Sequence, residues 1–536
     1  MLPLTRLLAE IMYLIPELNV IKKDWRRVDL KVALCYPNVY RAGMSGLTVR
    51  LLYALFNSRE DVLCERFFLP ASNEPLRSLE SNQPLKKFDV IAFTFQYEED
   101  YTNAIRMLID SSIEPRREKR KAGDPLIIAG GPCVTSNPEP LADYFDLFVI
   151  GEAEPILDQI IDRIKAYEVP FKHFCEFADI KGVYVPKISN MAQRVWSKNL
   201  DDALHPLAQQ IPLVDEGSPY MTIFGRAFAV EPIRGCNRFC RFCLLSHISQ
   251  PQRERSLEKV KQIIDEGIRF TPVDKVSLIG ASIFDYSSLE DLCEFAVSRG
   301  LKLAIPSIRP EVVTEHIAEL LNKGEQKSVT IAPEAASPRL REVINKRMDE
   351  LEIIDAAKTL ISHGISRLKL YFIVGLPGEK TEDIEAIVEL SRKVADVGYG
   401  PRAIHLSVNP LIPKPHTPFQ WEKAPTVAYM REVLKLLKTK LRGDGRFVID
   451  SLDPRHAQIQ SFLSFGDRKI GRVIEFAARY GGGLGAWRRA LKDCKVILEN
   501  YIRERSVDEV FPWDKIDVGL SKGYLLKEVE RYRRYM

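Results

Sequence analysis

The sequence predicts an α/β protein with two strand-and-helix domains and a mostly helical carboxyl-terminal region. Short apolar runs alternate with helical patterns from residue 28 to 165, which is typical of a doubly wound, Rossmann-like sheet. The alternation resumes at residue 226 with six strand–helix units, which is typical of a partial (β/α)6 barrel. The predicted boundaries are an amino-terminal helix over 1–27, the Rossmann-like domain over 28–165, a linker over 166–225, the barrel over 226–425 and the helical region over 426–536.

Each strand is predicted from a short apolar run bounded by turn-forming or charged residues. In the first domain these runs cover 31–37, 62–70, 89–95, 125–131 and 147–154, and helical patterns cover 46–56 and 101–110. In the barrel they cover 227–235, 275–280, 301–306, 328–334, 367–375 and 403–411. Functional groups in such barrels lie on loops at the carboxyl ends of the strands, so those loops are where we look for chemistry.

Composition excludes several classes of protein. The 536 residues carry 77 basic and 73 acidic side chains, a net charge of +4 that is too small to indicate nucleic acid by itself. Nine cysteines form no regular framework outside one cluster, which argues against a secreted disulfide scaffold. Arg6, Glu10 and Glu17 interrupt the apolar start, which predicts an amphipathic helix rather than a signal peptide or membrane span. We therefore expect a cytoplasmic protein with no membrane partner.

Three cysteines on one loop are the strongest chemical signal. Cys236, Cys240 and Cys243 follow the first barrel strand with the spacing C-x3-C-x2-C. Thiolates hold iron–sulfur clusters, and three of them leave one iron of a [4Fe–4S] cluster without a protein ligand. A Cys3His zinc site with His247 is the alternative, because zinc takes four ligands in structural sites.

With Phe242 before the third cysteine, this loop resembles that of the radical S-adenosylmethionine superfamily. The resemblance implies that S-adenosylmethionine binds the open iron and is cleaved to a 5′-deoxyadenosyl radical. It extends through the barrel segments "SLIGAS", "IAPEAASPRL" and "YFIVGLPGE". The residues it assigns to S-adenosylmethionine are Phe242, Ser277, Gly280, Ser282, Glu334, Ser337 and Leu376. For Glu334, a helix cap near Ser337 remains the alternative role.

The first domain resembles the cobalamin-binding domain of the class B radical S-adenosylmethionine methylases, on the segment "IIAGGPCVTSNPEPLADYFDLFVIGEAEPIL" over 127–157. Residues 1–172 contain no histidine, so the D-x-H-x-x-G motif is absent and cobalt would have no histidine ligand from this domain. A Rossmann-like domain without a ligand is the alternative. The residues that the resemblance assigns to cobalamin are Tyr36, Gly43, Ser45, Gln96, Tyr97, Gly130, Gly131, Pro132, Gly151, Glu152 and Glu154.

The resemblance implies a cobalamin-dependent radical C-methyltransferase that moves a methyl group from methylcobalamin to an unactivated sp3 carbon. Over its full extent the chain resembles archaeal enzymes that methylate protein residues, such as the glutamine Cα of methyl-coenzyme M reductase. The expected partners are a protein or peptide substrate and an electron donor such as ferredoxin or flavodoxin, and RNA stays open.

Other radical enzymes remain as alternatives. A tRNA-modifying methylthiotransferase would carry a second cluster on three amino-terminal cysteines, for which Cys35, Cys64 and Cys133 are available. We interpret these three instead as small buried apolar residues. An archaeosine-forming lyase and a lipid or small-molecule enzyme are the remaining alternatives.

Overall fold

The computed structural model describes residues 15–70, 74–167 and 173–536. The predicted amino-terminal helix lies outside the described residues over 1–14. Over 15–27 the prediction is wrong, because this stretch is an extended arm without a helix. Glu17 forms an antiparallel bridge to Pro212, and the Leu18 amide donates to the Ile211 carbonyl over 2.9 Å. The arm gains its backbone hydrogen bonds from a distant segment, which a local helical pattern does not show.

The α/β class is confirmed, and the first domain is a doubly wound sheet. Its strands are β1 Leu30–Val39, β2 Val62–Leu69, β3 Val90–Thr94, β4 Leu126–Gly130, β5 Leu147–Val149 and β6 Val183–Tyr184. Its helices are α1 Tyr40–Met44, α2 Thr48–Asn57, α3 Asp100–Asp110, α4 Pro132–Ser136 and α5 Leu157–Lys165. The order is β2-β1-β3-β4-β5-β6, with β6 antiparallel and the others parallel. Strand β2 is added on one side of β1, and β3 and the later strands are added on the other side. The strand order therefore reverses between β1 and β3, and doubly wound sheets bind ligands at such a point.

The predicted linker is more structured than its sequence suggests. It supplies β6 to the first sheet and a further short strand, β7 Ala192–Gln193. A two-residue strand has no periodicity that a sequence pattern can reveal, so its formation depends on the partner strand.

The second domain contains the six predicted barrel strands. Its strands are β8 Phe228–Val230, β9 Ile233–Arg234, β10 Arg253–Glu254, β11 Lys275–Leu278, β12 Lys302–Ala304, β13 Ser328–Glu334, β14 Arg367–Val374, β15 Ile404–Pro410 and β16 Phe447–Asp450. Its helices are α6 Leu244–Ile248, α7 Leu257–Phe270, α8 Leu289–Ser298, α9 Glu315–Lys323, α10 Pro338–Val343, α11 Glu350–Ser362, α12 Thr381–Asp396 and α13 Val427–Lys440. Parallel sheets β12-β11-β8 and β13-β14-β15-β16 are connected by a parallel bridge between Ile308 and Ile331.

Strand β16 is an addition to the prediction, which placed residues 447–450 in the helical region. It pairs in parallel with β15, so the barrel extends beyond the predicted six strands. The helical region itself contains α14 Pro454–Ser464, α15 Gly471–Arg479, α16 Leu484–Cys494, α17 Glu499–Ile502, the strand β17 Ile516–Asp517 and α18 Lys522–Arg533. Strand β17 pairs with β7.

The helical region does not form a separate core. Phe462, Val473 and Trp487 from α14, α15 and α16 are buried in one cluster with Phe93 and Ile105 of the first domain. The carboxyl-terminal helices therefore cover one face of the first sheet, as a parallel sheet that is buried on both faces requires. Within the described part of the chain, no helix is long and apolar enough to cross a membrane.

Candidate functional site

The cysteine loop begins directly after β9, which follows the first barrel strand β8, as predicted. Gly235 has φ +85°, and a Cβ atom there would lie 2.6 Å from the Ser249 carbonyl oxygen, so the turn into the loop needs glycine. Cys236 and Cys240 are each 9% exposed, and Cys243 is half-buried.

Burial favours the protonated form of two of the thiols. It raises the pKa of Cys236 and raises the pKa of Cys240 to about 12, although the nearby Lys346 ammonium opposes the second shift. The charges of the three cysteines also influence one another, which places all three in one neighbourhood. Metal binding at such a site must release protons, so the affinity comes from iron–thiolate bonding.

The surroundings fit a cluster better than zinc. Among the described residues, no three histidine, cysteine or carboxylate side chains converge on one point that a single metal ion would occupy. The His247 Nδ1 atom is hydrogen-bonded to the Cys243 carbonyl oxygen over 2.8 Å, and burial lowers the pKa of this histidine to about 4. The His247 Nε2 atom is buried and has no hydrogen-bond partner among the described residues, so this neutral imidazole is itself suited to bind a metal. What disfavours the Cys3His zinc alternative is that the ring and the thiols do not converge. A multi-iron cluster spreads its thiolates over several metal atoms and does not need such convergence.

A buried ion pair anchors the loop to the last helix. The Arg241 guanidinium donates to the Glu528 carboxylate over 2.9 Å and to the carbonyls of Glu342 and Val343 over 2.6 and 3.0 Å. Beside it, the rings of Phe239 and Tyr524 meet edge to face at 5.7 Å. Helix α18 thus holds the loop through this ion pair and the aromatic contact.

We expect Glu528→Gln to loosen the cysteine loop. The substitution leaves the buried Arg241 charge without its carboxylate, and breaking such a pair costs about 3 kcal/mol. Thermal denaturation should show a lower Tm, and reconstituted protein should hold less iron. Glu530→Gln on the exposed face of α18 is the matched control and should change neither quantity. An unchanged iron content in Glu528→Gln would show that the anchor is dispensable.

Of the predicted S-adenosylmethionine residues on and after the second barrel strand, Ser282 lies beside this loop. The Ser282 hydroxyl donates to the Asp285 carboxylate and lies beside the Cys236 thiol, where it counteracts the rise in the pKa of that thiol. Gly280 is forced by packing, since a Cβ atom would lie 2.8 Å from the Ile233 carbonyl oxygen. The Ser277 hydroxyl is buried and has no hydrogen-bond partner within the described residues. An unsatisfied buried hydroxyl in this position fits a ligand contact.

Glu334 and Ser337 have different roles: Glu334 lies beside the cysteine loop, and Ser337 caps a helix. Glu334 has φ +63° and its carboxylate lies 3.1 Å from the Lys346 ammonium, so strained backbone presents it beside the cysteine loop. Ser337 caps α10, accepting from the Leu340 amide over 3.3 Å and donating to Asp383 over 2.5 Å. The capping role considered for Glu334 therefore belongs to Ser337, whose hydroxyl is already engaged.

Phe242 and Leu376 lie in one apolar cluster. Leu376 is buried within it, and the half-buried Phe242 packs against it. The two segments that the resemblance assigns to S-adenosylmethionine on opposite sides of the barrel are thus in contact with a common apolar surface.

A cavity of about 380 Å³ lies at the carboxyl edge of the first sheet. Seven of the residues predicted for cobalamin line it: Gln96, Gly130, Gly131, Pro132, Gly151, Glu152 and Glu154. Gly131 has φ +104°, and a Cβ atom there would lie 2.5 Å from the Phe95 carbonyl oxygen. At Gly130 an added Cβ atom would meet no close contact, since the nearest atom is the Val149 Cβ at 3.7 Å. Gly131 is therefore needed by the fold, whereas Gly130 leaves space open.

Four residues predicted for cobalamin do not line this cavity. A Cβ atom on Gly43 would lie 2.5 Å from the Phe68 ring and 2.9 Å from that of Tyr36, so Gly43 serves packing. The Ser45 hydroxyl donates to the Arg41 carbonyl over 2.6 Å and accepts from the Ile223 amide over 2.9 Å. The Tyr97 hydroxyl donates to Glu99 over 2.7 Å. Gly43, Ser45 and Tyr97 thus have structural partners within the chain.

The sequence analysis missed other lining residues of the cavity. Small and apolar side chains of the first domain contribute, and so do residues on both sides of the cysteine loop. The first group includes Leu34, Leu47, Leu51, Thr94 and Thr135. The second includes Glu231, Arg234, Leu245, Ile248 and Ser249, and Ile279 joins them from the end of β11. Apolar alternation in β1 and α2 predicts burial for the first group but gives no sign of a cavity.

Glu152 and Glu154 join the two domains. The Arg234 guanidinium contacts Glu152 over 2.8 Å and Glu154 over 2.7 Å, and Arg253 contacts Glu152 over 2.7 Å. Burial alone would raise the pKa of Glu152, but the hydrogen bond from Arg253 and the charge of Arg234 outweigh it and lower the pKa. The two carboxylates therefore fix the first sheet edge against the cysteine loop, with their charge already compensated.

The three amino-terminal cysteines do not form a second site. Cys35 and Cys133 pack in the core on one side of the first sheet, whereas Cys64 packs on the other side. Burial raises the pKa of each well above the usual range. Their interpretation as small buried apolar residues is confirmed.

Family models match both domains. The model described as "Radical SAM proteins, N-terminal" matches residues 48–186, and the model described as "Radical SAM superfamily" matches residues 230–391. The first match covers most of the domain that holds the cavity, and the second begins at the strand that precedes the cysteine loop.

Relatives cover different shares of the chain. An uncharacterized protein of Methanocaldococcus jannaschii is 33% identical over 449 residues, which is 83% of this chain and 91% of that protein. A tRNA-2-methylthio-N(6)-dimethylallyladenosine synthase of Moorella thermoacetica is 24% identical over 295 residues, 52% of this chain and 59% of that enzyme. In fold, the chain is similar to the radical S-adenosylmethionine methyltransferase TsrM of Kitasatospora setae, solved with cobalamin and a [4Fe-4S] cluster. The TM-score is 0.51 and the identity 15%, with 87% of this chain and 98% of that chain covered.

Proposed function

This chain belongs to the radical SAM superfamily, and from that premise we propose that it is a cobalamin-dependent methyltransferase that acts on an unactivated sp3 carbon. One observation carries the proposal. A single cavity has one wall of strand ends of the first sheet, including Gly130 and Gly151, and another wall of residues flanking the cysteine loop, including Arg234 and Ser249. A reaction that needs a methyl donor and a radical generator needs its two sites this close together.

Each part of the chain has a role under this proposal. The three cysteines would hold a [4Fe–4S] cluster, Glu334 and Ser277 would contact S-adenosylmethionine, and the cavity would hold part of cobalamin. When bound, these groups supply a substrate radical and the methyl group that it accepts. The ion pairs of Arg234 hold the edge of the first sheet next to the cysteine loop. The apolar cavity wall limits access of water to a reactive intermediate.

Gln96 is the residue that we propose to face cobalt from the first domain. Its side chain is exposed and lines the cavity, with its amide 3.3 Å from the Thr94 hydroxyl. An amide is a weak metal ligand compared with imidazole, and residues 1–172 contain no histidine.

For the substrate, we propose a residue of a protein, with the glutamine Cα of methyl-coenzyme M reductase as the specific candidate and ferredoxin or flavodoxin as the electron donor. The extended similarity to a protein of the archaeon Methanocaldococcus jannaschii is compatible with this candidate.

Anaerobic purification followed by iron and corrinoid analysis tests the proposal. We expect one [4Fe–4S] cluster per chain and one bound corrinoid. Incubation with S-adenosylmethionine, a reductant and the candidate peptide should then add the mass of one methyl group to the peptide. Two clusters without corrinoid would contradict the proposal and favour a methylthiotransferase, to which about half of the chain is similar.

A further inference from the structure

We propose that the amino-terminal end of the barrel carries a second binding site, for a small molecule with a phosphate or carboxylate group. The site is a cavity of about 820 Å³ at the start of β13, β14, β15 and β16, which we call the basal cavity. Its size is within the range of small-ligand pockets. It goes beyond the proposed function, because the cysteine loop lies at the opposite ends of the barrel strands.

Four basic side chains define the basal cavity: Arg367, Lys369, Arg402 and His405. Strand pairing explains why they meet. Lys369 of β14 lies directly beside His405 of β15, and Arg367 precedes Lys369 by two residues and shares its face. On the other face of β14, Leu368 and Leu370 are buried in the barrel core.

These cations have no compensating carboxylates. Within the described residues, Arg367, Lys369 and Arg402 form no ion pair, and no aspartate or glutamate lines the basal cavity. The Lys369 ammonium instead lies over the Tyr371 ring, 4.9 Å from its centre. Arg367 and Arg402 are exposed and Lys369 is half-buried, so their charges face the cavity and solvent. Positive charge is therefore concentrated here without an internal partner.

His405 presents an unpartnered ring nitrogen. Its Nε2 atom is buried and has no hydrogen-bond partner among the described residues. The Asp450 carboxylate, which does not line the cavity, is 3.9 Å from this atom and too distant for a hydrogen bond. A buried nitrogen without a partner is costly, and a ligand oxygen would satisfy it.

An oxyanion fits this arrangement. Guanidinium groups bind phosphate and carboxylate through paired hydrogen bonds, an ammonium adds a point charge, and the imidazole adds a single donor. The ligand is a small molecule, since the cavity is bounded by strand starts and by the loop that contains Arg402. Catalytic groups of such barrels lie at the carboxyl ends of the strands, so this ligand binds away from the reacting atoms.

Isothermal titration of the full-length, cluster-containing protein with inorganic pyrophosphate and, separately, with citrate tests the proposal. We expect saturable binding of at least one of them, and the stronger ligand identifies phosphate or carboxylate as the preferred group. The double variant Lys369→Gln with His405→Gln should weaken that binding at least about tenfold, as expected for the loss of charged hydrogen bonds.

Lys358→Gln is the matched control, because it removes the same charge from an exposed position on α11 outside the cavity. It should leave anion binding unchanged. Equal binding by the double variant, no binding by the native protein, or binding of single-stranded RNA in preference to both anions would overturn the proposal. The titration uses neither cobalamin nor S-adenosylmethionine, so its result is independent of the methyltransferase proposal. A circular dichroism melt of the double variant separates loss of the site from loss of the fold.

Discussion

Replacing Cys236, Cys240 and Cys243 together by alanine is expected to abolish formation of 5′-deoxyadenosine from S-adenosylmethionine. The three thiols lie in one neighbourhood, on a loop fixed by Gly235 and by the Arg241–Glu528 pair. Without thiolates no cluster is held, and the electron that cleaves the sulfonium has no source. Activity should fall below detection, because the loop then offers no thiolate to any iron of the cluster.

The measurement is chromatography of 5′-deoxyadenosine after anaerobic incubation with a reductant, together with iron analysis. Cys133→Ala is the informative control, since this cysteine is buried in the first domain and is one of those that a second cluster would need. It should retain full iron content. Persistence of 5′-deoxyadenosine in the triple variant would refute the cluster assignment, and a halved iron content in Cys133→Ala would reopen the methylthiotransferase alternative.

The features that the sequence predicts well are local. The cysteine spacing and Phe242 lie within eight residues, and strands such as β3 and β14 carry their own apolar patterns. Such features need no knowledge of what packs against them. The α/β class and the six barrel strands follow from the same signal and are confirmed.

The features that the sequence does not predict depend on distant partners. The sequence suggests that Glu152, next to Gly151, contacts a ligand. In the structure its carboxylate instead pairs with Arg234 and Arg253, which are 82 and 101 residues away along the chain. Strand β16 forms because β15 offers an edge, and the arm over 15–27 is extended because Ile211 and Pro212 accept it. Ser337 takes the capping role because the turn before α10 presents its hydroxyl to Leu340. In each case the local sequence is compatible with more than one backbone conformation or side-chain role, and tertiary contacts select one of them.

Gly130→Leu is expected to eliminate corrinoid binding while leaving the fold intact. Gly130 ends β4 and faces the cavity, and a Cβ atom there meets nothing closer than Val149 at 3.7 Å. A leucine side chain therefore fits the strand but occupies space in the cavity. Corrinoid affinity should fall at least about a hundredfold, which corresponds to ~2.7 kcal/mol. Spectrophotometric titration with hydroxocobalamin measures the loss.

Comparison with two other glycines makes the result specific. Gly123→Leu adds the same side chain to an exposed turn where nothing lies within 4 Å, and it should bind corrinoid normally. Gly131→Leu would meet the Phe95 carbonyl and a φ of +104°, so it should unfold rather than lose binding selectively. A folded Gly130→Leu protein with normal iron content and undiminished corrinoid affinity would show that cobalamin binds elsewhere. Selective loss would instead connect the cavity of the first sheet directly to the cofactor, because the substitution leaves the cysteine loop unchanged.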